Sequence, residues 1–137
     1  MAHWLVKSEP AKYPWEQMVK DKRTHWDGVH NFQAANNMKA MKEGDRAFYY
    51  HSNEGKEIVG IVKITKEFYL DPKDETGKFG MVDVTAVEKL PTPVTLAQIK
   101  ADPTLSNMVL VKNSRLSVQP VTPEEWKYIA KLGGLKA

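Results

Sequence analysis

The chain contains no cysteine among its 137 residues. This excludes disulfide bonds and thiolate catalysis, and it removes most kinds of structural zinc site. Its apolar runs extend over only a few residues, far short of the roughly twenty that a membrane-spanning helix needs. The first ten residues show no basic segment followed by a long apolar stretch, so we expect no secretory signal. We therefore predict a cytoplasmic protein with no membrane partner.

Sequence signatures of catalysis and of metal binding are also missing. The phosphate-binding patterns G-x-x-x-x-G-K-[ST] and G-x-G-x-x-G are absent, and no serine sits in a G-x-S-x-G turn. Ser8 follows Lys7, but neighbouring residues on a strand point to opposite faces, which argues against a Ser–Lys pair. The chain has four histidines, which are His3, His25, His30 and His51. Their positions lack the close spacing that is typical of zinc ligands. We predict no catalytic residue, no bound metal and no cofactor.

The composition is that of one ordinary globular domain, with 42% hydrophobic and 27% charged residues. We expect a single domain over residues 1–137 and a monomer. The net charge of +3 only mildly favours a polyanionic partner. Two stretches, 28–42 and 104–123, contain no acidic residue. They carry basic residues that could line one face, namely His30, Lys39, Lys42, Lys112 and Arg115.

Alternating and helical patterns predict an α+β domain. Residues 20–27 are polar and charged and are predicted to form a loop. Gly60, inside the apolar run 58–62, suggests a bulge or the close approach of another segment. The expected strands cover 3–7, 46–51, 57–68, 81–87 and 116–121. The expected helices begin near Pro14 (with Trp15, Met18 and Val19 at helical spacing), span 31–41, and follow the capping boxes Thr95–Gln98 and Thr122–Glu125. We predict a mostly antiparallel sheet, curled toward a barrel and flanked by short helices.

Aromatic and polar side chains cluster in ways that leave two interpretations open. Trp26, in a charged segment, either fills the core or offers its ring to a ligand, and frequencies of burial favour the core. Arg115, Ser117 and Gln119 alternate, so that one strand face is polar. That face is either solvated or part of a pocket that reads a base edge while an aromatic ring stacks on the base.

The order of several short strings resembles the EVE domain family over nearly the whole chain. The strings are Trp4-Leu-Val-Lys-Ser-Glu-Pro10, Trp26-Asp-Gly-Val-His-Asn31, Gln33-Ala-Ala-Asn-Asn37, Gly44-Asp45, Tyr50-His-Ser-Asn53, Ile58-Val-Gly60, Pro93-Val-Thr-Leu96, Ser114-Arg-Leu-Ser-Val-Gln-Pro-Val121 and Glu125-Trp126. The family is similar to the PUA superfamily and related in fold to the ASCH and YTH domains. The resemblance implies a PUA-like curled β-sheet or pseudo-barrel with short helices around it.

The same resemblance implies a binding module that is not an enzyme. Its expected partner is DNA or RNA that carries a modified base, such as a modified cytosine. By motif, the implied ligand-binding residues are Lys7, Ser8, Trp26, Asn31, His51, Ser52, Asn53, Phe79, Arg115, Ser117 and Gln119. Two alternatives remain: an enzyme that acts on a modified nucleotide through His51, and a scaffold that binds another protein.

Two positions depart from the pattern of the family that the chain resembles. His30 stands where the family usually has arginine, so a fixed positive charge is lost or becomes dependent on pH. Phe79 stands where the family usually has tryptophan, and a phenyl ring offers less area for stacking. If Phe79 belongs to the pocket, we expect weaker binding or a different preferred ligand.

Overall fold

One mixed sheet organises the molecule, which was studied as a computed structural model. The structure describes residues 3–8, 15–21, 23–26, 32–51, 56–70, 80–112, 116 and 118–135. Within these residues the strands are β1 (His3–Ser8), β2 (Arg23–Trp26), β3 (Arg46–His51), β4 (Glu57–Leu70), β5 (Gly80–Thr95) and β6 (Val118–Val121). The helices are α1 (Trp15–Asp21), α2 (Phe32–Ala40), α3 (Leu96–Ala101), α4 (Val109–Lys112) and α5 (Pro123–Leu132), with a 3₁₀ turn at Pro103–Leu105.

The strand order is β2-β5-β4-β3-β1-β6. The pair β1–β3 is parallel, and the other neighbouring pairs are antiparallel. Register shifts interrupt the β3–β4 and β4–β5 ladders, and such bulges bend strands and increase their twist. The predicted curled, mostly antiparallel sheet and the α+β class are therefore confirmed. The described sheet is open, with β2 and β6 at its two edges.

Successive apolar side chains on the strands point to opposite faces of the sheet, and both faces are buried. On β1, Val6 packs on one face while Leu5 packs on the other. Helices α1 and α2 cover the first face through Trp15, Met18 and Met38. The second face is covered by the helical segment after β5 and by α5. The buried run 58–62 on β4 follows from this arrangement, because a central strand between two helical layers has no solvent-facing side.

The two predicted capping boxes form as expected. The Thr95 hydroxyl accepts from the Gln98 amide at 3.1 Å, and the Gln98 side chain accepts from the Thr95 amide at 2.9 Å. At the start of α5, Thr122 and Glu125 exchange the same pair of hydrogen bonds. Each box satisfies backbone donors that a helix start would otherwise leave unpaired.

Gly60 makes the close approach that its place in the apolar run suggested. The β3–β4 register shifts by one residue beside it, and the Trp15 ring lies directly over it. A Cβ atom at Gly60 would stand 2.5 Å from the Trp15 ring, so only glycine leaves room for the ring. This contact fixes α1 against the central strands.

Two predictions about individual elements were wrong. Residues Arg23–Trp26 form the edge strand β2, paired with β5, instead of a loop. Strand β5 continues to Thr95 instead of ending at Val87. In the confirmed helix α1, Val19 shares the helical spacing of Trp15 and Met18 but is half exposed, whereas Trp15 and Met18 are buried.

Candidate functional site

Predicted site residues lie on adjacent strands where β1 and β3 end. The parallel register places Lys7 beside Tyr50 and Ser8 beside His51. On the other side of β1 runs β6, which carries Gln119. The sheet therefore brings Lys7, Ser8, His51 and Gln119 into one three-stranded segment.

The Lys7 ammonium lies over an aromatic ring. Its Nζ atom is 5.6 Å from the centroid of the Tyr50 ring, within reach of a cation–π interaction. Lys7 is half-buried and Tyr50 is buried. Burial lowers the pKa of Lys7, and burial raises the pKa of the Tyr50 hydroxyl. Lys7 thus presents a cation at the edge of the core, where low polarity strengthens an interaction with an anion or a carbonyl oxygen.

His51 is held by a backbone contact from α1. Its Nε2 atom accepts a hydrogen bond from the Trp15 N–H at 3.1 Å. The ring also meets Tyr49 edge-on, with centroids 5.7 Å apart. Burial is the main cause of the lowered pKa of His51, and the charges of Glu16 and Glu57 oppose it. A neutral imidazole that accepts at Nε2 carries its proton on Nδ1, which can donate to a ligand.

Gln119 is fully buried. Its Nε2 atom donates to the Leu116 carbonyl at 2.7 Å. The side chain therefore supports the backbone at the start of β6. The alternative of a solvated strand face does not apply to Gln119.

The predicted site residues do not all share one face of the sheet. Lys7 lies on the face of Tyr50, which carries the cluster under α5. His51 follows Tyr50 on β3 and lies on the other face, with Tyr49 and Trp15. A pocket that uses both Lys7 and His51 would have to form around the strand ends.

Trp26 is separated from this segment in the order of the strands. Its backbone pairs with Val82 of β5, and three strands lie between β2 and β1. Six predicted site residues lie outside the described residues, and they are Asn31, Ser52, Asn53, Phe79, Arg115 and Ser117.

The two acid-free stretches meet in the fold. The Asn37 side chain on α2 donates to the Val118 carbonyl on β6 at 2.7 Å. Lys39, Lys42 and Lys112 are exposed on these stretches. The two stretches therefore touch at Asn37 and Val118, and a common face for their lysines stays a prediction.

A groove that the sequence did not reveal lies between α1 and β5. Its volume is about 600 Å³, and it is lined by Trp15, Val19 and the residues of β5 from Thr85 to Lys89. The half-exposed side chain of Val19 lies at this groove. The helical spacing of Val19 could not have indicated this groove, because the same spacing is typical of a buried stripe.

In the described ranges of the chain, no three His, Asp or Glu side chains lie together as a metal site would require. No helix in the same ranges is both long enough and apolar enough to cross a membrane.

The chain matches the family model described as EVE domain over residues 2–132. Human thymocyte nuclear protein 1 is 36% identical over an alignment of 165 positions, which covers 96% of this chain and 73% of the human protein. The NMR structure of Rpa0253 from Rhodopseudomonas palustris is 58% identical, with a TM-score of 0.94 over 98% of this chain and 94% of that one.

Two further solved structures relate the fold to other proteins. Human THYN1, in a crystal structure with DNA containing 5-methylcytosine, is 36% identical, with a TM-score of 0.90 over 100% of both chains. The YTH domain of Zygosaccharomyces rouxii MRB1 is 16% identical, with a TM-score of 0.62 over 96% of this chain and 86% of that one. The second likeness concerns the fold alone. Since the family match spans nearly the whole sequence, the chain belongs to the EVE domain family.

Proposed function

We propose that this chain binds nucleic acid and holds one modified base in a pocket without changing it chemically. The observation that carries the proposal is the human THYN1 structure, which shares the fold at a TM-score of 0.90 and contains 5-methylcytosine DNA. We take 5-methylcytosine in DNA as the first ligand to test. Nucleic acid with a modified base is the proposed partner of a monomeric chain.

The proposed pocket lies around the ends of β1 and β3. Lys7 supplies a cation held over the Tyr50 ring, and such a donor suits a phosphate or a base carbonyl. His51 supplies an Nδ1–H donor on a ring fixed by Trp15. The proposed ligand-binding set keeps every residue implied by the family pattern: Lys7, Ser8, Trp26, Asn31, His51, Ser52, Asn53, Phe79, Arg115, Ser117 and Gln119.

The surroundings of His51 favour binding over catalysis. A general base needs a free lone pair within reach of the proton it removes. The Nε2 lone pair of His51 already accepts from the Trp15 backbone, and Nδ1 holds the proton in the neutral ring. His51 would have to break a contact that anchors α1 before it could act as a base.

The adjoining acid-free stretches add support for a polyanionic partner. Lys39, Lys42 and Lys112 are exposed on these two stretches, which touch at the Asn37–Val118 hydrogen bond. Phosphate contacts by exposed lysines supply affinity that does not depend on sequence. A base pocket beside such a surface would gain both affinity and selectivity.

A thermal-shift screen tests the proposal. The probes are duplex and single-stranded DNA with one 5-methylcytosine, the matching unmodified oligonucleotides, and RNA with one modified base. We expect the melting temperature to rise most with a modified probe, because a ligand that binds only the folded state stabilises it. The same probes are incubated with the protein and analysed for products, with His51→Ala as the control. Product formation that disappears in His51→Ala would support the enzyme alternative and overturn the proposal.

A further inference from the structure

A row of basic residues crosses the sheet near the N-terminal ends of β1 and β3. In the register of the sheet, His3 lies beside Arg46, and Arg46 lies beside Lys63. Lys63 lies beside Thr85, whose neighbour on the edge strand is Arg23. No acidic residue occupies a position in this row. We define His3, Arg46 and Lys63 as the basic row.

The basic row is accessible at the margin of α5. Lys63 is exposed, whereas Arg46 and His3 are partly buried. Arg46 stands two residues before Phe48, which packs against Trp126 of α5, so the row emerges beside that helix. Lys127 of α5 adds another cation nearby.

Charges of both signs act on His3. Burial is the largest cause of the lowered pKa of His3, the charge of the N-terminus lowers it next, and the charges of Arg46 and Lys127 lower it by less. The Asp45 carboxylate raises that pKa. However, Asp45 is buried and accepts from the Trp4 indole at 3.1 Å and the Lys42 amide at 3.0 Å. Its carboxylate is thus engaged in holding the fold.

Folding alone does not favour this arrangement. Like charges directly opposite each other on neighbouring strands destabilise a sheet, whereas opposite charges stabilise it. Arg46 and Lys63 occupy such opposed positions. An anion bound between them would offset the repulsion.

We infer that the basic row binds the phosphate backbone of the nucleic acid whose modified base is held at the other end of β1. This inference rests on the proposed function. Lys7 lies four residues beyond His3 on β1, a distance of about 13 Å at roughly 3.3 Å per residue. A strand of B-form DNA advances about 3.4 Å per nucleotide. With β1 aligned along one DNA strand, the row would contact phosphates about four nucleotides away from the held base.

The test compares a long duplex with a free nucleoside. The long probe carries one 5-methylcytosine and extends about eight base pairs to each side, and the short probe is 5-methyl-2′-deoxycytidine. In the double variant Arg46→Gln/Lys63→Gln, we expect affinity for the duplex to fall about tenfold at low salt. The slope of log affinity against log salt should shrink by about 1.8, because two phosphate contacts are lost. Affinity for the nucleoside should not change.

Two further variants separate the basic row from net charge and from folding. Lys100→Gln/Lys131→Gln removes the same charge from exposed positions on α3 and α5 and should leave duplex affinity nearly unchanged. Arg46→Lys/Lys63→Arg keeps both charges and should retain binding. The melting temperatures of all variants are measured. Arg46→Gln/Lys63→Gln removes a repulsion between like charges, so its melting temperature should not fall below that of the wild type.

The outcomes distinguish this inference from the proposed function. If wild type binds the modified duplex and Arg46→Gln/Lys63→Gln binds it equally well with the same salt slope, the basic row is not a phosphate site and the proposed function stands. An equal loss in the Lys100→Gln/Lys131→Gln variant would also overturn the inference. Wild type that binds neither probe would overturn both.

Discussion

The His51 Nε2 atom accepts a 3.1 Å hydrogen bond from the Trp15 backbone N–H, which joins the end of β3 to the start of α1. Protonation of Nε2 would abolish this acceptor. Burial lowers the pKa of His51 below its ordinary value of 6.5. Acid should therefore loosen α1 from the sheet.

The pH dependence of stability follows from that lowered pKa. Below about pH 6.5 the unfolded chain binds a proton at His51 more readily than the folded chain, so stability is present above that pH and is lost as the pH falls through the folded pKa. We expect the melting temperature to drop between pH 7 and pH 5, and to drop less in His51→Gln. The pKa of His3 is lowered too, so His3→Gln measures the part of the drop that comes from His3 and not from His51. A His51 titration midpoint at or above 6.5 by NMR would contradict this expectation.

Gly60→Ala should destabilise the fold. The new Cβ atom would meet the Trp15 ring at 2.5 Å, and overpacking of this kind costs about 1–3 kcal/mol. Urea unfolding measures the loss. The double variant Trp15→Leu/Gly60→Ala removes the clash, so Gly60→Ala should cost less in the Trp15→Leu background. Equal costs in the two backgrounds would show that the Trp15 contact does not set the requirement for glycine.

Trp26→Ala separates a stacking platform from a core side chain. Loss of base stacking, worth about 1–3 kcal/mol per base, should weaken binding of modified DNA by roughly tenfold to over a hundredfold. Stability should change little. Trp126→Ala is the control, because Trp126 stacks on Phe48 at 3.9 Å, and losing such a ring costs about 3 kcal/mol or more. If Trp26→Ala lowers the melting temperature as much as Trp126→Ala, the platform role is wrong.

Salt should weaken nucleic-acid binding. If Lys39, Lys42 and Lys112 contact phosphates, log affinity falls linearly with log salt, with a slope of about −0.9 per contact on B-form DNA. The triple variant Lys39→Gln/Lys42→Gln/Lys112→Gln should have a shallower slope, by about 2.7. Fluorescence anisotropy across a salt series measures both slopes. Affinity that stays flat across the series would exclude backbone contacts and favour a free nucleoside as the ligand.

The elements that depend on side-chain pattern could be predicted from the sequence. Both capping boxes and the strands β3 and β4 follow from local residue types and spacing. Edge strand β2 could not be predicted in this way. Arg23–Trp26 has no apolar alternation, and it becomes a strand only because its backbone pairs with β5 across about sixty residues of sequence.

The end of β5 was obscured by prolines. Side-chain alternation predicted an end at Val87, and Pro91 and Pro93 beyond it belong to a residue type that is rare inside a strand. In the structure Lys89 pairs with Gly60 and Val94 pairs with Ile58. The intervening residues, with both prolines, fall in a bulge where a missing N–H costs no ladder hydrogen bond.

The candidate site was predictable as a set of residue types but not as a geometry. Alternation on β6 indicated a polar side chain at Gln119, yet its hydrogen bond to Leu116 depends on complete burial. The contact between His51 and the Trp15 backbone depends on where α1 packs against the sheet. No local sequence pattern predicts that position.

The most direct test of the proposed function is the affinity for one DNA duplex with and without a single 5-methylcytosine, measured by anisotropy at fixed salt. We predict tighter binding of the methylated duplex, and a loss of about tenfold or more in Lys7→Met, since a hydrogen bond to a charged group contributes about 1.5–3 kcal/mol. Lys100→Met, on exposed α3, should bind like wild type. Equal affinity for the two duplexes, together with no response to Lys7→Met, would contradict a pocket for a modified base at the ends of β1 and β3.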